Sequence, residues 1–188
     1  MTTIRPLCLR VKVFFLSRSL SLSKGRKDDF MKLDPIFTVK QNKLYKIADG
    51  TTVDISSLQR IEIKWSQVEI ADEAYNEEYL AGLRDKLKAM DDAGSFAVLV
   101  PVADKPLETA EQAELFTNAF NHTARRVKDC VSVAGIELPQ ELTKQGFETG
   151  TPAANFMETL AIKHAQYVYF TCLTDNIPEN LVIICDKP

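Results

Sequence analysis

The sequence predicts an α/β protein in which helices alternate with the strands of a mostly parallel sheet. Apolar residues recur at helical intervals in three segments, and short runs rich in β-branched residues separate those segments. Each helical segment is long enough for a crossover between parallel strands. An alternating segment before the first strand adds an N-terminal β-hairpin. The 188 residues suffice for one domain with a buried core.

The hairpin is predicted from residues 37–56, in which apolar and polar residues alternate around Asp49-Gly50. This dipeptide is typical of a type I′ turn, so we expect the chain to reverse there. Residues 60–65, RIEIKW, also alternate at period two. Their β-branched and aromatic content predicts the first strand of the sheet.

A helix over residues 73–93 is predicted by apolar residues at intervals of three and four, and Gly94 provides a stop signal. Residues 96–102 form a nearly continuous apolar run, which indicates a strand covered on both faces. Thr109 and Gln112 then have the spacing of a capping box at the start of a second helix.

The second half of the chain repeats this pattern. Residues 131–138 predict a strand, and Thr151-Pro152 is a cap followed by a first-turn proline. Residues 167–173 predict the next strand. The last apolar run, 181–185, follows too soon for a crossover helix, so we expect it to be antiparallel or to lie at an edge.

Composition and charge exclude several function classes. Residues 1–27 contain seven of the 23 basic residues and no acidic residue, which leaves 16 basic against 26 acidic residues in the remainder. An acidic body argues against a nucleic-acid partner, which requires clustered Lys and Arg. No apolar run approaches the roughly 18 residues of a membrane span, so we expect no membrane partner.

No metal site or cofactor is predicted. Cys8, Cys130, Cys172 and Cys185 are widely spaced, without a CxxC pair or a histidine at ligand spacing. The glycines form no phosphate-binding loop. Buried thiols fit a reducing compartment, and we expect a cytoplasmic protein, although an even cysteine count also permits disulfides.

The first thirty residues differ from the rest. Their apolar core is short, is interrupted by Lys12 and lacks a small-residue cleavage site, which does not support secretion. An organelle transit peptide and a basic tail are alternative interpretations. We expect residues 1–30 to be a disordered or non-native extension, and residues 31–188, from Met31, to be one domain.

Candidate site residues cluster around the stretch VAGIELPQEL. Glu141 follows the strand, where the loops of parallel α/β proteins line ligand sites; it is a candidate general acid or a solvated loop carboxylate. Glu137 lies on an otherwise apolar strand, so we expect it to be partnered or at an edge. Arg60 is expected to pair with a strand-end carboxylate: Glu62, Glu137 or Glu141.

Two further side chains have both a functional and a structural interpretation, and the two histidines have a structural one. Trp65 can stack on a ligand through the apolar face of its ring or belong to the core, and Gln140 can bind a ligand through its amide or be a plain loop residue. His164 is expected to be a core histidine whose hydrogen bonds are satisfied. His122 falls off the apolar stripe of its helix, so we expect it to be exposed.

Residues 37–170 resemble the cellulase-like glycoside hydrolases of family five, whose fold is the (β/α)8 barrel of clan A. RIEIKW resembles the strand-two pattern, with Arg60 and Trp65 in place, and VAGIELPQEL resembles the strand that carries the acid/base. By this resemblance Glu141 takes the place of the acid/base glutamate. Gln140 takes that of the preceding asparagine, and the resemblance makes Arg60, Trp65 and Gln140 candidates for binding the sugar substrate. The resemblance implies a partial (β/α)8-like sheet and hydrolysis of β-linked oligosaccharides or polysaccharides.

The departures from the family leave the activity open. The family's strand-seven nucleophile has no counterpart, and a complete barrel takes about 250 residues. The chain therefore looks truncated and diverged, with open sheet edges that allow a homo-oligomer. As an enzyme it would use Glu141, with Glu137 or Glu62 as partner at an inverting separation. The alternatives are a non-catalytic glycan-binding, partner-binding or structural protein, and an incomplete gene product.

Overall fold

The computed structural model describes residues 33–71 and 74–184. The strands are β1 (Phe37–Lys40), β2 (Lys43–Lys46), β3 (Gln59–Lys64), β4 (Glu69–Ala71), β5 (Ala74–Tyr75), β6 (Ala97–Val102), β7 (Val133–Glu137), β8 (Val168–Thr171) and β9 (Leu181–Ile183). The helices are α1 (Trp65–Val68), α2 (Glu77–Asp92), α3 (Ala110–Arg126), α4 (Gln140–Thr143) and α5 (Pro152–His164). The predicted N-terminal extension, Cys8 and Cys185 lie outside the described residues, and the division at residue 31 stays a prediction.

The central sheet confirms the α/β prediction. Its five strands lie in the order β3-β6-β7-β8-β9, and every neighbouring pair is parallel. Strand order follows chain order, and the crossover helices α2, α3 and α5 share one hydrophobic cluster. A sheet wound in this single direction has the winding of (β/α)8 barrels. Within the described residues β3 and β9 are its edges, and self-association through them stays a prediction.

The helix side of the sheet carries the larger core, as the apolar stripes predict. Its helical members include Leu80, Leu83 and Leu87 of α2, Phe116 and Phe120 of α3, and Phe156 and Leu160 of α5. The capping signals are also confirmed. Thr109 and Gln112 form a reciprocal capping box at α3, and Thr151 caps α5 with Pro152 in its first turn.

The opposite face of the sheet is covered by the hairpin β1-β2. Phe37 and Leu44 pack there against Val98 and Phe170. The predicted hairpin is therefore present, but its two-residue turn is Gln41-Asn42, with φ of 49° and 60°, rather than Asp49-Gly50. Asparagine tolerates this left-handed conformation. Gly50 lies in a second turn, after which Thr52 bridges back to Tyr45.

The last apolar run was expected to be antiparallel or to lie at an edge of the sheet. Strand β9 does lie at an edge, but it is parallel to its neighbour, so the antiparallel alternative is wrong. Tyr169 of β8 and Leu181 of β9 are partners in a parallel ladder. The connecting residues 172–180 include no helix. In extended conformation these nine residues span about 30 Å. A parallel connection must span the length of a strand, which is roughly 13 Å for four residues. The chain therefore returns to the start of the neighbouring strand without a crossover helix.

No helix among the described residues combines the length and apolar character required to cross a membrane.

Candidate functional site

A cavity at the carboxyl end of the sheet, here called the polar cavity, has a volume of about 610 Å³. It lies between the first halves of α3 and α5, and α4 with the loop after it closes one side. Its polar lining consists of Glu108, Thr109, Glu114, Thr117, Asn118, Glu141, Gln145, Asn155 and Thr159. In parallel α/β proteins the loops at this end of the strands line ligand sites.

Helix α4 places Glu141 in this lining. Pro139 precedes its first residue in extended conformation, and the Leu142 side chain, 1% exposed, anchors the turn in the helix-side core. Glu141 is consequently left exposed at the cavity wall. Gln140 is exposed but is not part of the lining, and its carbonyl accepts a hydrogen bond from the Thr143 hydroxyl at 3.1 Å.

Glu137 is buried on the other face of the sheet. It is the ladder partner of Phe170, which belongs to the core beneath the hairpin. The Arg60 Nη2 atom lies 2.8 Å from both carboxylate oxygens, and Nε lies 3.1 Å from Oε2. The Cys172 thiol donates to Oε1 at 3.3 Å. Of the three carboxylates expected to pair with Arg60, Glu137 is therefore one that does.

The sheet separates the two candidate catalytic carboxylates. Glu137 faces the hairpin side, whereas Glu141 lines a cavity whose apolar walls, including Leu142 and Ala113, pack with the helix-side core. Hydrolysis by two carboxylates requires both to flank one glycosidic bond. The structure does not bring these two together, and Glu62 of β3 is not part of the lining either.

Trp65 lies in the core rather than at the polar cavity. Its side chain is 3% exposed, and the ring packs edge-to-face on Phe116 with centroids 5.4 Å apart. The indole N–H donates to Glu69 Oε2 at 2.7 Å, and the Lys105 ammonium lies 4.9 Å from the ring centroid. Glu69 is itself buried, with Lys105 3.5 Å from the same oxygen. Sequence reasoning missed this cluster, although Trp65 and Glu69 have one-turn spacing.

A second cavity of about 200 Å³, here called the basic cavity, lies between the second halves of α3 and α5. Its lining residues are Tyr75, Asn118, Asn121, His122, Arg125, Lys163 and His164. Asn118 also lines the polar cavity, so the two cavities adjoin along α3.

His164 is a core residue, as expected, but the expectation that its hydrogen bonds are satisfied is wrong. The side chain is 2% exposed, and neither ring nitrogen has a hydrogen-bond partner within residues 33–71 and 74–184. Burial lowers the pKa of His164 to about 4, and the positive charges of Lys128, Lys163 and Arg125 lower it further. His164 is therefore a neutral imidazole in the folded protein at neutral pH.

His122 was expected to be exposed, but its side chain is only 18% exposed. The ring stacks on Tyr75 with centroids 4.0 Å apart, and Nε2 lies 3.0 Å from Glu77 Oε1. Helical periodicity missed these contacts because both partners come from another part of the chain.

Metal and thiol chemistry receive no support from residues 33–71 and 74–184. No group of three or more His, Cys, Asp or Glu side chains there is arranged to hold a metal ion. Cys130 is a buried free thiol. Burial raises the pKa of the Cys130 thiol to about 11, which keeps it protonated at neutral pH.

No protein-family model matches the chain, and no curated protein matches it. Several solved glycosidases do. Endo-glycoceramidase II from Rhodococcus sp. is 18% identical over 69% of this chain and 44% of its own, with a TM-score of 0.48. The β-glycosidase BGL167 is 13% identical over 60% and 40%, with a TM-score of 0.44. A GH5_18 protein from Bifidobacterium longum is 12% identical over 61% and 34%, with a TM-score of 0.45.

The chain thus spans less than half the length of each of these proteins. The α/β assignment rests on the strand order and crossover helices themselves.

Proposed function

We propose that the protein is a carbohydrate-binding domain with a glycoside-hydrolase-like α/β fold, and that it binds a short oligosaccharide in the polar cavity without hydrolysing it. The observation that carries this proposal is the separation of Glu137 from Glu141 by the sheet. Retaining and inverting glycosidases hold two carboxylates about 5 to 9.5 Å apart across one bond. Glu137 is instead bound to Arg60.

The lining of the polar cavity suits sugar hydroxyls. The amides of Asn118, Gln145 and Asn155 each offer donors and acceptors, and the Thr159 hydroxyl offers both. Leu107 and Pro152, which are partly exposed, add apolar surface for the C–H faces of a sugar ring. The volume of about 610 Å³ lies within the range of roughly 300 to 1,000 Å³ typical of small-molecule sites.

The charge of the lining favours an uncharged sugar. Glu108, Glu114 and Glu141 all line the polar cavity, and no Lys or Arg of residues 33–71 and 74–184 belongs to this lining. A uronic acid or a sugar phosphate would be repelled by these carboxylates, whereas neutral hydroxyls can donate to them. We therefore expect neutral oligosaccharides to bind there in preference to acidic ones.

Hydrolysis is a second candidate function, favoured by the same three glutamates. Glu141 comes from α4 and Glu114 from α3, so carboxylates from two separate elements line one cavity. In this alternative Glu141 protonates the leaving oxygen, and Glu114 activates water at an inverting separation. Glu114 then replaces the predicted partners Glu137 and Glu62.

The test is to titrate the full chain with neutral cello-, manno- and xylo-oligosaccharides by calorimetry, and to assay the same mixtures for released reducing sugar. We expect saturable binding and no release. Asn155→Ala should weaken binding by about tenfold through loss of hydrogen bonds. Asn180→Ala, at an exposed amide outside the lining, should leave binding unchanged.

Two results would contradict binding without hydrolysis. Sugar release that is lost in Glu141→Gln and Glu114→Gln but kept in Glu137→Gln would establish the second candidate. The absence of both binding and release would exclude both functions.

A further inference from the structure

The basic cavity is too large for one water molecule and too small for most metabolites. Its volume is about 200 Å³. One water occupies about 30 Å³ of liquid, and small-molecule sites usually exceed about 300 Å³. The cavity therefore suits a small ion, or one substituent of a larger molecule.

Two residues in the lining of this cavity, Asn121 and His164, have buried polar atoms without partners. Both ring nitrogens of His164 and the Oδ1 atom of Asn121 are buried and make no hydrogen bond among the described residues. The main chain of Asn121 raises the pKa of His164 slightly, but it forms no hydrogen bond of normal geometry with the imidazole ring. Buried polar groups in folded proteins almost always have partners. Three orphaned atoms beside one cavity thus point to a missing group that both accepts and donates hydrogen bonds.

The cavity also carries an excess of positive charge. Arg125 on α3 and Lys163 on α5 are exposed at its rim, and neither takes part in an ion pair within residues 33–71 and 74–184. The nearby carboxylate of Glu77 is already bound by Arg126 at 2.5 Å and by His122 at 3.0 Å. An anion is therefore the electrostatically favoured occupant.

Both rim cations lie in the last turns of their helices, where positive charge also offsets the helix dipole. That structural role explains the positions of Arg125 and Lys163. It provides no partner for the buried atoms of His164 and Asn121.

We propose that the basic cavity is a binding site for a phosphate-type oxyanion, either hydrogen phosphate or a phosphate monoester. Arg125 and Lys163 neutralise its charge, and His164 donates a ring N–H to one oxygen. The Asn121 Oδ1 atom accepts from a protonated oxygen, which phosphate has and chloride lacks. A tetrahedral anion presents oxygens in several directions, which suits donors placed on two helices.

The buried histidine gives this proposal a spectroscopic readout. Bound phosphate would favour the imidazolium form, because it supplies an acceptor and offsets the repulsion from Lys128, Lys163 and Arg125. His164 should consequently titrate at higher pH in the presence of phosphate. The chain contains only two histidines, so a His122→Gln variant assigns the ring signals.

The experiment is imidazole NMR of the full chain during titration with sodium phosphate, with sodium chloride at matched ionic strength as reference. We expect a saturable shift of the His164 signals with phosphate and none with chloride. Arg125→Ala and Lys163→Ala should each weaken phosphate binding by about tenfold. Lys86→Ala, which removes an exposed charge from α2, should not.

Three results would overturn the proposal. The first is a His164 signal that phosphate does not shift, which would indicate that water alone partners the ring. The second is a chloride titration that shifts the signal as much as phosphate does. The third is a Lys86→Ala variant that weakens phosphate binding as much as the rim variants do. The rim variants carry the test because both side chains are exposed, whereas replacing the buried His164 can prevent folding.

Discussion

Arg60 and Glu137 form a two-point ion pair across the sheet, with Nη2 2.8 Å from each carboxylate oxygen and Nε 3.1 Å from Oε2. They lie on β3 and β7, which are separated by β6. The Glu137 side chain is 9% exposed and that of Arg60 is 28% exposed. The pair thereby joins strands that are not neighbours, on the sheet face that the crossover helices leave uncovered.

Removing only the arginine should be more damaging than removing the pair. Arg60→Met leaves a buried carboxylate without its cation, and we expect it to lower the free energy of unfolding by about 2 kcal/mol. This loss is smaller than that for a fully buried ion pair, because the Arg60 side chain is partly exposed to water. The double variant Arg60→Met, Glu137→Leu should lose less than the sum of the single changes. Urea unfolding measures all three. Glu62→Gln, exposed on the same strand, should stay within about 0.5 kcal/mol, and strict additivity would contradict the coupling.

Gly135 should not tolerate a side chain, because β7 and β8 approach closely there. A Cβ at this position would lie 2.0 Å from the Val168 carbonyl oxygen and 2.9 Å from Phe170 Cε2. Gly135→Ala should therefore cost about 3 kcal/mol or more, since backbone must move. Gly82 on α2 is exposed and has nothing within 4 Å of an added Cβ. Gly82→Ala should instead stabilise the protein by about 0.5 to 1 kcal/mol. Thermal unfolding of both variants checks the contrast.

Asn42 should connect the hairpin to the edge of the sheet. Its Nδ2 atom donates to the Pro178 and Leu181 carbonyls at 2.8 Å each, and its φ is 60°. Asn42→Gly keeps the backbone conformation and should cost about 1 to 2 kcal/mol through the lost hydrogen bonds. Asn42→Ala should cost about 1 kcal/mol more because of the left-handed backbone. Equal unfolding midpoints for the two variants would refute the backbone contribution.

Stability should fall as the pH drops from about 6.5 to about 4, because of His164. Its pKa is lowered from 6.5 to about 4 in the folded protein. Between those values the unfolded chain binds a proton that the folded chain does not, so the free energy of unfolding rises with pH through this window. The shift corresponds to about 3 kcal/mol. Stability should level off above the window.

Urea unfolding at several pH values tests this dependence. A His164→Leu variant that folds should show a flatter profile between pH 4 and 6.5 than the wild type. An unchanged slope in the His164 variant would show that other groups cause the pH dependence. If the basic cavity binds phosphate, adding phosphate should also flatten the wild-type profile, since it favours charged His164.

The sequence by itself determined the α/β class, the helical stripes, the capping boundaries at Thr109 and Thr151, and the burial of His164. These features depend on local periodicity and on side-chain-to-backbone hydrogen bonds within a few residues, so the order of the residues contains them. The turn at Gln41-Asn42 was missed because Asp49-Gly50 gave the stronger local signal, although the chain reverses at both places.

Only the tertiary structure decided which charged groups meet and which face of the sheet each occupies. Glu137 and Glu141 are four residues apart, yet the strand directs the first toward the hairpin and α4 directs the second into the polar cavity. The Arg60 partner lies 77 positions along the chain, and the orphaned atoms of His164 and Asn121 adjoin because α3 packs on α5. Such contacts depend on how whole elements pack against each other, and no short stretch of sequence encodes that geometry.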